Sequence, residues 1–272
     1  GDVIAEATSG NTGISFSALG SYLGHPVVIY MPDWMSMERI NLMQSYGAEV
    51  RLVSREEGGF LGSIAKTEEL AQKGGVFLPC QFSNPDNRDA HYLMTGEEIV
   101  QQLAALELQA DGVVAGVGTG GTIMGIGKRL QKENPNCKAY PLEPLSSPTL
   151  STGYKVGTHR IQGIADEFIP DILKLDQLDD VVSVDDGGAI IMAQMLSKQL
   201  GIGVGVSSGA NFIGSIIAQN KLKAAGIANP VVVTTFADDN KKYLSTDYSQ
   251  PQPMSDDYYT KELELLGFVS HR

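Results

Sequence analysis

The stretch "GHPVVIYMPDWMSMERINLMQSYGAEVRLVS", residues 24–54, decides the fold. "PVVIYMP" is a short apolar run bracketed by prolines, the pattern of a buried strand. A helix is expected near Met37–Tyr46, closed by Gly47, and "AEVRLVS" reads as the next strand. Upstream, a helix over Thr12–Leu23 stops at Gly24, with Pro26 just beyond. Downstream, a helix over Leu61–Lys73 stops at Gly74-Gly75 before the strand "VFLP". Short apolar strands alternating with helices predict parallel strands joined by crossover helices, an α/β fold.

The alternation breaks at "QFSNPDNRDAHY", Gln81–Tyr92, which is polar and turn-rich and reads as a surface loop or a hinge. It then resumes. Helices are expected near Thr95–Ala105, from the glycine turn to Glu133, near Ala189–Leu200 and after "SSGAN", with strands at "DGVVAG", "KAYPLE", "VVSV" and "PVVVTTF". "STDYSQPQPMSDD" reads as an extended surface segment and "YYTKELELLG" as a short helix. A hinge at the break predicts a smaller lobe over residues 1–86 and a larger one over 87–272.

With 272 residues the chain can bury a sizeable core. Its net charge of −12 argues against nucleic acid, whose phosphates it would repel. No apolar run reaches the length of a membrane span. Cys80 and Cys137 lie far apart without a CxxC partner, and the four histidines show no metal-ligand spacing. This usage fits a reducing cytoplasm. The chain opens on Gly1, and it is expected to lack its natural beginning.

"EATSGNTG", Glu6–Gly13, crowds small hydrogen-bonding groups ahead of an apolar helix. A helix start needs only one capping oxygen, and a glycine-opened start can also gather backbone N–H groups on an anion. The residues alone leave cap and ligand site both open. "GVGTGGT", Gly116–Thr122, contains the GxGxxG spacing of a dinucleotide site, with Glu143 as its ribose acid. The denser core Gly118-Thr119-Gly120-Gly121-Thr122 instead suits a compact phosphate monoester gripped at a helix start.

In order along the chain, "EATSGNTG", "MPDWMSMERINLMQSYGAEV", "QFSNPDN", "AGVGTGGT", "RIQGI", "SSGA" and "KKYLST" resemble the cysteine synthase (O-acetylserine sulfhydrylase) and cystathionine β-synthase family. The resemblance implies a fold of the tryptophan-synthase-β type and pyridoxal 5′-phosphate (PLP) as cofactor. It implies that Gly118, Thr119, Gly120, Gly121 and Thr122 hold the phosphate and that Asn11 meets the ring's 3′-oxygen. Ser207 would face the pyridine nitrogen; its position also suits a helix cap, and the two roles are compatible. Thr8, Ser9, Gly10 and Thr12, with Gln81, would bind the substrate carboxylate. The implied chemistry is β-replacement or elimination on a three-carbon amino acid: a lysine takes the Cα proton, the Cβ substituent leaves and a nucleophile adds. That lysine belongs in a Ser-x-Lys context upstream of Gly1, and Lys66, Lys128 and Lys155 match nothing catalytic. The resemblance also implies a homodimer.

One stretch departs from the family. "GIADEF", Gly163–Phe168, replaces a small glycine-rich segment and brings Asp166 and Glu167 to the expected substrate site. A carboxylate there would repel hydrosulfide, and it could bind a second ammonium or act as a base. Asp166 as base or partner selector would favour breaking down cysteine with sulfide release, or cystathionine- or lanthionine-type condensation, over making cysteine; both acids could equally point to solvent. An NAD-binding oxidoreductase and a non-catalytic binding subunit are the competing readings from other classes.

Overall fold

A computed structural model describes residues 1–8, 10–165 and 167–271. They form two compact units, residues 1–81 with 241–250, and residues 82–240 with 251–272. The sequence division at residue 86 therefore falls five residues late, and it omits the return of 241–250 to the first unit.

In the first unit the elements run β1 (Val3–Ala7), α1 (Asn11–Leu23), β2 (Val27–Pro32), α2 (Met37–Ser45), β3 (Glu49–Val53), α3 (Gly59–Ala71) and β4 (Val76–Phe77). The strands make a parallel sheet in the order β3-β2-β1-β4. β2 is apolar throughout because both its faces are covered. Val27, Ile29 and Met31 pack with Ile40 and Met43 of α2, while Val28 and Tyr30 turn to the other side with Val53. Gly24 ends α1 in the left-handed conformation (φ +76°), as its position after Leu23 predicts.

The second unit continues with α4 (Pro85–Ala90), a π-helical turn (His91–Thr95), α5 (Gly96–Ala105), β5 (Gly112–Gly116), α6 (Gly121–Glu133), β6 (Lys138–Pro144), α7 (Thr149–Thr152), β7 (Val182–Val184), α8 (Asp186–Leu200), α9 (Val206–Ala224) and β8 (Val232–Thr234). Its sheet is also parallel, in the order β7-β6-β5-β8. Numbered from the first strand of each, the two sheets share one strand order. Val113, Ala115 and Val117 from β5 and its end meet Ile123, Ile126 and Leu130 of α6 in the core.

Four local expectations need correction. β1 went unread, because its five residues abut the glycine-rich run. The Gln81–Tyr92 break holds α4, with Pro85 at its first position and Asn84 Oδ1 accepting the Asp86 N–H at 3.0 Å. The closing "YYTKELELLG" yields only one 3-10 turn, Tyr259–Glu262. The segment "STDYSQPQPMSDD" is not surface throughout, for its Tyr248 is buried, as is Tyr243 just ahead of it. Arg39, also buried, puts its guanidinium carbon 4.5 Å from the Tyr243 ring centroid. Ser36 Oγ donates to the Lys242 carbonyl at 2.9 Å, and Glu38 accepts from the Ser245 N–H and hydroxyl at 2.6 Å each.

Candidate active site

In each sheet the first strand lies between the second and fourth, so the chain reverses direction of winding at its carboxyl end. Such switch points are where open α/β sheets bind ligands. β1 ends at Ala7, just before Thr8, and β5 ends at Gly116, just before Gly118. The two runs singled out by sequence therefore occupy equivalent places in their own units.

In the second unit, Gly116 N–H donates to Asn211 Oδ1 at 2.8 Å, and Val117 N–H to the Leu142 carbonyl at 3.0 Å. The chain then bends through Gly120 (φ +88°) into α6. A Cβ on Gly118 would stand 2.7 Å from the Gly163 carbonyl oxygen, and one on Gly121 would overlap Asn87 Oδ1. The first helical bond runs from Met124 N–H to the Gly120 carbonyl at 3.1 Å, so the helix supplies no acceptor for the amides ahead of it. Gly121 N–H turns to Thr119 Oγ1 at 3.3 Å.

The two threonine hydroxyls have their own supports. Asn87 Nδ2 donates to Thr119 Oγ1 at 2.9 Å. Thr122 Oγ1 lies 3.2 Å from His91 Nε2, whose other ring nitrogen lies 3.1 Å from Thr95 Oγ1. Burial holds the His91 imidazole below its ordinary pKa. Asn87 and His91, four residues apart across α4 and the π turn, were not named as site residues from sequence. The Asn84-Pro85 helix start was the signal that could have found them. A turn whose glycines lie too close to Gly163, Leu173 and Asn87 to carry a Cβ, with amides at a helix start and two oriented hydroxyls, fits a compact phosphate.

Ser207 sits in the first turn of α9, whose N-cap is Gly205. The capping role for Ser207 is therefore set aside. Asn211, one turn on, spends its Nδ2 on the Thr235 carbonyl at 2.8 Å while its Oδ1 holds Gly116. It thus ties the start of α9 to the glycine loop. Gly209 of "SSGAN" is explained by packing, since a Cβ there would overlap the Ala189 carbonyl of α8.

The departing loop lies against the same glycines. Ala165 N–H donates to the Val117 carbonyl at 2.7 Å, and the Ala165 carbonyl is 3.1 Å from His159 Nε2. Ala165 takes a left-handed φ of +54°, unusual for a residue with a side chain. Glu167 is engaged elsewhere, with Lys155 Nζ 2.9 Å from its Oε1. Asp166 lies outside the described residues, as does Ser9.

Glu143 cannot serve as a ribose acid. It is fully buried and its Oε2 accepts the Leu150 and Ser151 N–H groups at 2.7 and 3.3 Å, while Ser151 Oγ and Ser183 Oγ donate to Oε1. It holds the start of α7. The dinucleotide reading loses its second element.

In the first unit, α1 starts from Gly10, which has no side chain to cap with, so plain capping does not explain the run. Thr8 is buried, and its Oγ1 accepts the Gly10 N–H at 3.2 Å. Arg39 backs Gly10, where a Cβ would come 2.8 Å from Nε. Asn11 and Thr12 are the first two residues of α1, Asn11 exposed and Thr12 half-buried. Gln81 is buried, its Nε2 donating to the Ala7 carbonyl at 2.7 Å. Beneath them Glu6 accepts the Ala7 N–H at 3.0 Å and the Gln81 N–H at 3.3 Å on its two oxygens. Burial pushes the Glu6 carboxyl up to about 7, against the opposing pull of backbone N–H groups. Among the described residues no group of three His, Cys, Asp or Glu could hold a metal ion, and no helix is long and apolar enough to cross a membrane.

The glycine turn and oriented hydroxyls of the second unit suit a phosphate-bearing group, and the family comparison names one. Pyridoxal-phosphate dependent enzymes match residues 1–238. The chain belongs to this family. Within it the chain is an enzyme of the cysteine synthase family. Cysteine synthase of Staphylococcus aureus is 42% identical over 246 residues, covering 90% of this chain and 77% of that protein. A hydrogen sulfide-producing enzyme from Fusobacterium nucleatum is 61% identical, with a TM-score of 0.92 over 96% of this chain and 77% of the other. An O-acetylserine dependent cystathionine β-synthase from Helicobacter pylori is 34% identical, with a TM-score of 0.80, covering 90% and 77%. The PLP-dependent, tryptophan-synthase-β-like fold expected from sequence is thus borne out.

Proposed function

We propose that this PLP enzyme, acting on three-carbon amino acids by β-elimination and replacement, takes L-cysteine as its amino-acid substrate and releases sulfide. The observation that carries the reading is the seat of the "GIADEF" loop. Its Ala165 is bonded to Val117 at the edge of the glycine cradle, where the family's usual segment bears no carboxylate. The identity of 61% to a sulfide-producing enzyme supports the same direction.

On this reading Gly118, Thr119, Gly120, Gly121 and Thr122 hold the cofactor phosphate, Asn11 meets the ring's 3′-oxygen and Ser207 faces its nitrogen. When bound, the cofactor supplies an electron sink for the pair left at the substrate Cα. A serine at the ring nitrogen accepts or donates without forcing protonation, which suits loss of a Cβ substituent. Thr8, Ser9, Gly10 and Thr12 bind the substrate carboxylate through amides and hydroxyls, with Gln81 beside them. Asp166 repels hydrosulfide and serves as base toward water or an incoming thiol. A homodimer and a cytoplasmic setting belong to the same reading and rest on the family resemblance; sedimentation of the purified protein checks the first.

The test is to assay the full-length enzyme for sulfide release from L-cysteine and for cysteine formation from O-acetylserine and sulfide. Release should be the faster. A faster synthesis would reverse the assignment, and a product containing a second amino acid would move it to condensation. Asp166→Asn should slow sulfide release by about 10²–10⁴-fold, the range of general acid–base catalysis. Cysteine formation should fall much less. Equal losses in both assays would remove Asp166 as partner selector.

A further inference from the structure

Among the described residues of the first unit, Glu6 is the one buried carboxyl, and the reaction as described leaves it unused. It is the last residue but one of β1, two residues before Thr8, and only 5% of its surface is exposed. Its Oε1 takes the Ala7 N–H and its Oε2 the Gln81 N–H, while the Gln81 side chain returns to the Ala7 carbonyl. Three hydrogen bonds thus close a ring joining the start of the loop to Gln81, 74 residues later in sequence. We propose that Glu6 is a positioning residue for substrate carboxylate binding, holding the Thr8–Thr12 loop and Gln81 in register, and that it does so fully only when ionised. This rests on the carboxylate-loop reading above.

The chemistry follows from acceptor count. An ionised carboxylate offers lone pairs on both oxygens, one for each N–H. A proton on either oxygen faces that oxygen toward a donor with a weaker acceptor, and the longer bond, Gln81 N–H at 3.3 Å, loosens first. Burial favours the neutral form, so the ring is made and unmade near neutral pH. The ionisable groups around it are the Cys80 thiol and, past it, Glu68 of α3. Burial first, then the charges of Glu6 and Glu68, hold that thiol above its ordinary value, so it stays uncharged through this range.

The sign for stability is opposite to that for binding. The folded pKa lies above the ordinary glutamate value of 4.5, so the folded chain holds the proton that the unfolded chain has lost. The contribution of Glu6 to stability is full below 4.5 and is lost as pH rises through about 7. Ligand binding gains over the same interval. A residue that merely supported the fold would move both together.

The experiment uses the holoenzyme and L-alanine, which has no leaving group, and reads the change in cofactor absorption. Near pH 8, Glu6→Gln should bind L-alanine about tenfold more weakly than the wild type, the size of one lost bond to a charged acceptor. The two should converge near pH 5.5. Parallel pH profiles for both proteins would overturn the proposal. Absence of any response to L-alanine would overturn the carboxylate-loop reading and this proposal with it, whereas parallel profiles leave that reading standing. A second measurement needs no variant: in the wild type, the Gln81 amide proton shift should titrate together with the Glu6 carboxyl carbon. A Gln81 amide that does not move while Glu6 titrates would also overturn it.

Discussion

Gly118→Ala is expected to weaken PLP binding by about 10- to 100-fold, equivalent to an overpacking penalty of about 1–3 kcal/mol. The added Cβ would sit 2.7 Å from the Gly163 carbonyl oxygen, and the obstacle is backbone, not the yielding tip of a side chain. Relief requires the Gly163–Ala165 segment to move away. That segment is bound to the cradle's own edge by the Ala165 N–H to Val117 bond, so the edge moves with it. Cofactor uptake by absorbance titration checks the affinity. Gly188→Ala in α8 is the control: there a Cβ meets nothing nearer than 3.7 Å, and helix propensity favours alanine by about 0.5–1 kcal/mol. Equal PLP affinity in Gly118→Ala and wild type would show that the phosphate is held elsewhere.

The largest loss of stability is expected at Glu143. Glu143→Ala strips the acceptor from the Leu150 and Ser151 N–H groups and from two serine hydroxyls, in a site sealed from water. Leaving several buried donors unsatisfied should lower unfolding free energy by about 3–5 kcal/mol. Glu143→Gln keeps one carbonyl acceptor and should lose roughly half as much. Urea unfolding monitored by circular dichroism measures both. If Glu143 bound a ribose instead, either change would leave the stability of the free enzyme nearly untouched, and added nicotinamide cofactor would alter its spectrum.

How much was legible in the sequence differs between the parallel sheets and the site. The strands at Val27–Pro32 and Gly112–Gly116 were readable because strands covered on both faces are apolar throughout, and Gly24 closed the helix before the first of them. The glycine cradle was readable because a close backbone approach requires absent side chains. Glu143 misled, since spacing alone cannot tell an acid aimed at a ligand from one turned inward to hold α7. Asn87, His91, Asn211 and Glu6 went unnoticed because each acts through a partner distant in sequence: Asn87 meets Thr119, and Glu6 meets Gln81. Such pairings have no period and no local pattern. The return of Tyr243 beneath Arg39 was hidden for the same reason.

That return bears on how the polypeptide matures. The first unit is discontinuous: the ring that covers Arg39 and the serine that meets Glu38 arrive some 200 positions later in translation. A nascent chain halted at residue 240 has made Arg39 but not the aromatic ring that lies against it. In the order of synthesis the residues of the glycine cradle are therefore all made before residues 241–250, which complete the unit that carries the substrate loop.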